Sequence, residues 1–98
     1  MNDKNYYLNK LDLFPFPAKI TDHNQIENRK LTEEELQHAQ ALFDELLSDE
    51  LVSPLIGKHA RQMILHLTSL PELGAMPNVP LLFLTAYSVR RDLEGIND

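Results

Sequence analysis

The 98-residue chain contains no cysteine, no tryptophan and only three glycines. Without cysteine, disulfides, thiolate catalysis and cysteine-ligated metal sites are excluded. Gly57, Gly74 and Gly95 are isolated from one another, so they cannot build a phosphate-binding loop. The first residues lack the basic start and apolar run of a secretory signal, and no apolar run approaches the ~20 residues of a membrane span. We therefore expect a cytoplasmic protein with no membrane segment and no cofactor.

The charge is unevenly distributed along the chain, which carries a net −6. Residues 1–53 hold eleven acidic and five basic groups, whereas residues 54–91 hold four basic groups against one glutamate. From Glu33 to Gly57 there are seven carboxylates and no lysine or arginine. Most of this charge is expected to be a solvated face, but the pattern is also compatible with a dimer or with a basic partner.

The clearest helix begins after Thr32. Thr32 and Glu35 have the spacing of a capping box, and Leu31 and Leu36 have that of a hydrophobic staple. Apolar residues then recur at helical spacing as far as Leu47. We predict a helix over residues 33–51.

Two further helices follow. Ser53 and Pro54 suit an N-cap and the first helical position, which predicts a second helix over 54–69. Gly57 would be unfavourable inside its first turn, so this helix starts later or Gly57 allows a close backbone approach. Asn78 as N-cap and Gly95 after the last turn predict a third helix over 79–94. Its first half is apolar on all sides, which indicates a central position.

The range 1–30 has a different character. The alternation of Phe14 and Phe16 with prolines disfavours helix, and a period-two pattern near Leu11 favours a short strand. We therefore predict an all-α fold in which an extended arm (1–30) precedes a three-helix domain (31–98). Because the apolar core of three helices is small, a homodimer is expected to complete it, through the arm and the third helix.

Catalytic and metal-binding interpretations have little support. His59 and His66 lie seven residues apart, or ~10.5 Å along a helix, which is too far for one metal ion. Asp44, Glu45, Asp49 and Glu50 fall mostly on the polar face of the first helix, and a solvated face does not supply the desolvated cleft that acid–base catalysis needs. We expect no metal site and no enzyme activity.

Protein binding is the function that we predict: a small regulatory, inhibitory or adaptor protein with an unidentified partner. The candidate contacts are four aromatic residues of the arm, which anchor a partner if the arm is free and join the core if it folds back: Tyr6, Tyr7, Phe14 and Phe16.

The alternative is a dimeric DNA-binding regulator with a helix-turn-helix outline. Its phosphate contacts would be the four cations of the C-terminal half: Lys58, Arg61, Arg90 and Arg91. Four cations are few against a net charge of −6, and phosphate neutralisation supplies most of the affinity in such complexes. We therefore rank nucleic acid below protein as the partner.

Overall fold

The computed structural model describes residues 3–11 and 29–95 of the chain. The fold is all-α, and these residues form four helices: α1 (Lys4–Leu11), α2 (Glu33–Ser48), α3 (Lys58–Ser69) and α4 (Val79–Glu94). Two 3₁₀ turns, Ser53–Leu55 and Leu70–Leu73, lie in the connections on either side of α3.

Helix α1 corrects the extended backbone that we predicted for its residues. The Asp3 side chain accepts a hydrogen bond from the Tyr6 amide (3.1 Å) and caps the first turn. Tyr7 and Leu11, four residues apart, then fall on one face and are buried. An eight-residue helix is too short to be stable alone, so its helical state depends on packing against the rest of the molecule. The strand predicted near Leu11 lies largely in residues 12–28, outside the described residues.

The start of α2 is as predicted. The Thr32 hydroxyl accepts from the Glu35 amide, and the Glu35 carboxylate accepts from the Thr32 amide. The helix ends at Ser48 rather than at residue 51, because the Asp49 carboxylate accepts a hydrogen bond from the Leu51 amide (3.0 Å) and turns the chain.

The second predicted helix starts later than residue 54. Ser53–Leu55 form a separate 3₁₀ turn, and Gly57 is the N-cap of α3. The Gly57 amide donates to the Asp92 carboxylate near the end of α4 (2.8 Å), and the Ser88 hydroxyl donates to the Met63 sulfur (3.3 Å). Helices α3 and α4 therefore pack side by side and run antiparallel.

Helix α4 has the predicted bounds and lies at the centre of the molecule. Asn78 caps its first turn by accepting from the Leu81 amide (2.8 Å), and Gly95 ends it with φ 75°. It packs against both α1 and α3. Seven of its residues are buried, although Leu84 in its first half is 48% exposed.

A short antiparallel contact joins the starts of α2 and α4. The Leu31 amide donates to the Pro77 carbonyl (2.9 Å), and the Val79 amide donates to the Arg29 carbonyl (2.8 Å). The side chain of Arg29 also donates two hydrogen bonds to the Glu35 carboxylate (2.8 and 2.9 Å). These contacts hold the chain that enters α2 against the chain that enters α4.

Candidate protein-binding surface

Tyr7 attaches α1 to the end of α2. Its ring is 1% exposed, and its hydroxyl donates a buried hydrogen bond of 2.7 Å to Oδ2 of Asp49. Asp49, which we expected among the solvated carboxylates of this helix, is instead buried at the C-cap of α2, where the helix dipole disfavours a negative charge. Hydrogen bonds from Tyr7 and from the Leu51 amide stabilise this carboxylate. Tyr7 therefore belongs to the core, which is the fold-back role considered for it from the sequence.

Tyr6 lies at the surface beside this attachment. Its half-buried ring meets Tyr7 edge to face, with centroids 5.0 Å apart, and Lys10 Nζ lies 5.4 Å from its centroid. Its hydroxyl donates to Oε2 of Glu45 on α2 at 3.4 Å. This hydrogen bond, followed by desolvation and the negative charge of Glu45, raises the pKa of Tyr6 above its ordinary value of 10.0. Tyr6 is thus a neutral hydrogen-bonding aromatic group at neutral pH.

An open cleft of about 170 Å³ lies between α1 and α2 at Tyr6. Its lining combines the apolar side chains of the buried Leu42 and the exposed Ala41 with charged or polar ones. It is lined by Tyr6, Lys10, His38, Ala41, Leu42 and Glu45. Pockets for drug-sized ligands and cofactors usually measure ~300–1,000 Å³, so this cleft is too small for them. A cavity of ~150 Å³ holds a benzene molecule, which indicates room for one protein side chain.

The six lining residues were not identified as a set from the sequence, which singled out Tyr6 alone. The spacing of His38, Ala41 and Glu45 places them on one face of α2, and the sequence carried this signal. Nothing in the sequence indicated that α1 packs beside that face. Phe14 and Phe16, the other two predicted aromatic contacts, lie outside the described residues.

The four predicted phosphate contacts are brought to one end of the α3–α4 pair, where Gly57 meets Asp92. Lys58 is exposed there, but the Arg61 guanidinium is bound to backbone: it donates to the carbonyls of Ile56 (2.9 Å) and Ser53 (2.6 Å).

The other two cations of this end belong to α4. Arg90 and Arg91 are both half-buried, and the Arg91 guanidinium stacks over the Tyr87 ring at 5.5 Å. The four cations therefore share a location, but at least Arg61 and Arg91 have structural contacts of their own.

Exposed leucines form a further feature of the surface. Five of them are between 47% and 78% exposed, and they occur in α3, α4 and both connections of α3: Leu51, Leu55, Leu65, Leu73 and Leu84. Single exposed leucines are normal in folded proteins, so they locate no site by themselves.

Within residues 3–11 and 29–95, no three histidine or acidic side chains are grouped as a metal site would require. No helix in this part of the chain is long and apolar enough to cross a membrane. Comparison with family models, with curated proteins and with solved structures finds no match to this chain.

Proposed function

We propose that this protein is a small non-enzymatic adaptor, regulator or inhibitor, and that it binds another protein through the cleft between α1 and α2. The observation that carries the proposal is the half-buried Tyr6 ring, which lines one open cleft together with Ala41 and the buried Leu42. Tyrosine is enriched among the residues that dominate binding energy at protein interfaces, particularly in pockets with a polar rim. The Tyr6 side chain is also held in place by Glu45 and Tyr7, so little conformational entropy is lost on binding.

A catalytic role for the cleft is disfavoured by its openness. His38 and Glu45 are exposed, whereas general acid–base groups are usually held in an enclosed cleft from which water is excluded. The small volume and the exposed rim are better suited to one inserted side chain than to an enclosed substrate.

The test is a nuclease-treated pull-down from lysate of the source organism with the full chain as bait. A stoichiometric protein partner should be captured by the wild type and by Asn9→Ala, an exposed control on α1. Tyr6→Ala should weaken its capture about tenfold, because truncation of such an aromatic anchor costs at least ~1–2 kcal/mol. Equal capture by all three baits would place the partner elsewhere and refute the assignment of the cleft.

A second candidate, DNA binding, is favoured by the clustering of Lys58, Arg61, Arg90 and Arg91 at one end of α3 and α4. It predicts an affinity for duplex DNA that falls steeply with added salt and falls again in the Arg90→Ala/Arg91→Ala variant. Gel-shift titrations at two salt concentrations measure both. Binding that is indifferent to salt, or none at all, would exclude this candidate.

A further inference from the structure

The cleft is built by two helices that are far apart in sequence. Tyr6 and Lys10 come from α1, and the other four lining residues come from α2. The Tyr6 hydroxyl also reaches across to Oε2 of Glu45, at 3.4 Å. If α1 leaves its place, the cleft loses the wall that carries its aromatic ring. The cleft is therefore formed only while α1 is docked on the rest of the molecule.

Helix α1 is docked by two buried side chains, since Tyr7 is 1% and Leu11 is 2% exposed. The other residues of this helix are half-buried or exposed. The Tyr7 hydroxyl joins the helix to the end of α2: it donates to Oδ2 of Asp49 at 2.7 Å and lies 3.5 Å from the Glu45 carbonyl oxygen. Tyr7 and Asp49 are not among the residues that line the cleft. They act on the cleft through the position of α1.

We propose that α1 docks reversibly, and that the contact between Tyr7 and Asp49 sets the fraction of molecules in which the cleft is formed. This inference rests on the proposed function and adds the regulation of the same site. A helix with few buried side chains opens at a lower free energy than the core. Eight residues have little helical stability alone, so a detached α1 unwinds. The association constant measured for a partner is then the intrinsic constant multiplied by the docked fraction.

Fluorine NMR of the full chain, labelled with fluorotyrosine, measures docking without a partner. The chain has three tyrosines: Tyr6 and Tyr7 report on α1, and Tyr87 on α4 reports on the rest of the fold. Tyr7→Ala/Leu11→Ala removes both buried side chains of α1, so it should give the Tyr6 signal of the detached helix and keep the folded signal of Tyr87. Saturation transfer to this detached signal should reveal roughly 1–10% of it in the wild type.

Tyr7→Phe is the critical variant, because it leaves all six lining residues in place. It should raise the ratio of detached to docked α1 about tenfold, since the buried carboxylate of Asp49 loses one of its hydrogen-bond donors. Asn9→Ala, an exposed control on the same helix, should keep this ratio within about twofold of the wild type.

The same variants serve as baits for the protein that the wild type captures in the pull-down. Tyr7→Ala/Leu11→Ala should capture it at least tenfold less well, although Tyr6 is still present. Tyr7→Phe should reduce capture by the factor by which NMR finds the docked fraction reduced.

Three results would overturn the inference. The first is that Tyr6 and Tyr87 change state together in every variant, so that α1 opens only when the whole molecule unfolds. The second is an equal ratio in Tyr7→Phe and Asn9→Ala. The third is full capture of the partner by a bait whose α1 is detached. Capture that does not depend on Tyr6 would instead refute the proposed function, while the NMR ratios would still decide whether α1 docks reversibly.

Discussion

The Tyr7 hydroxyl holds α1 against the end of α2 through a hydrogen bond to Asp49. The acceptor is the buried Asp49 carboxylate, 2.7 Å away, and it lies at the C-terminal end of α2, where the helix dipole disfavours negative charge. Tyr7→Phe keeps the buried ring but removes one of the hydrogen bonds to Asp49. We expect the free energy of unfolding to fall by about 1–2 kcal/mol, because a buried carboxylate loses one of its hydrogen-bond donors. Urea unfolding followed by circular dichroism measures this.

Tyr87→Phe is the control, because it removes a hydroxyl from a half-buried ring on α4. We expect it to change the free energy of unfolding by less than about 0.5 kcal/mol. Equal losses in the two variants would show that the Tyr7–Asp49 hydrogen bond contributes nothing particular to stability.

Glu35 makes the free energy of unfolding depend on pH in the acidic range. Its two hydrogen bonds from Arg29, and then one from the Thr32 amide, lower its pKa from 4.5 to about 2. Because the pKa is lower in the folded state, the stabilisation is fully present above pH 4.5 and is lost as the pH falls from 4.5 to about 2. Arg29 is 38% exposed, and solvent screening reduces the contribution to about 1 kcal/mol.

The Arg29→Ala variant tests this contribution, with Lys30→Ala as a control for the same loss of charge at an exposed neighbour. Urea unfolding at pH 6 and at pH 3 should show that the wild type and Lys30→Ala lose more stability over this interval than Arg29→Ala. Identical slopes in all three proteins would contradict the assignment to the Arg29–Glu35 pair.

At the scale of the helices, the caps are the most predictable features of this chain. The reciprocal hydrogen bonds of Thr32 and Glu35, the N-cap at Asn78 and the glycine after α4 are all local, and each follows from residues at most a few positions apart. Gly57 was also informative, because its poor fit inside a helix allowed a later start for α3, and it is the N-cap.

The features that the sequence did not predict depend on distant residues. Helix α1 is only eight residues long and has no strong helical pattern, and it is held by Asp49 and by contacts with α4. The cleft was unpredictable for the same reason. The spacing of His38 and Glu45 indicates that they share a face of α2, but only the packing of α1 brings Tyr6 beside that face. Burial of Leu82 and Phe83 in a central helix was predictable, whereas the exposure of Leu84 was not.

The Asn78 cap provides a test at this scale. Asn78→Ala removes the acceptor of the Leu81 amide and should cost about 1 kcal/mol. For a domain of about 100 residues, this loss lowers Tm by roughly 4–8 °C, which calorimetry measures directly. Asn78→Ser, which retains a capping oxygen, should recover most of the loss. A Tm of Asn78→Ala within 1–2 °C of the wild type would show that α4 does not depend on this cap.

At the scale of the whole molecule, the homodimer remains a prediction. The chain has a mass of 11.3 kDa, and Leu51, Leu65 and Leu73 are each more than 60% exposed. We expect light scattering after size exclusion at micromolar concentration to give about twice the mass of one chain, since the core is small and a second copy is expected to complete it through the range 1–30 and the last helix. A mass near 11.3 kDa under these conditions would refute the dimer.

The contact between the starts of α2 and α4 should make its backbone amides exchange more slowly with solvent than those of α1. The amides of Leu31 and Val79 bond to carbonyls far away in sequence, so these hydrogen bonds break only when the four-helix arrangement as a whole comes apart. The amides of α1 are protected only by a short helix at the edge. Hydrogen–deuterium exchange should therefore find Leu31 and Val79 among the slowest amides, exchanging through global unfolding. The amides of α1 should exchange much faster through local detachment, which would make α1 the first of the four helices to separate from the rest of the described residues.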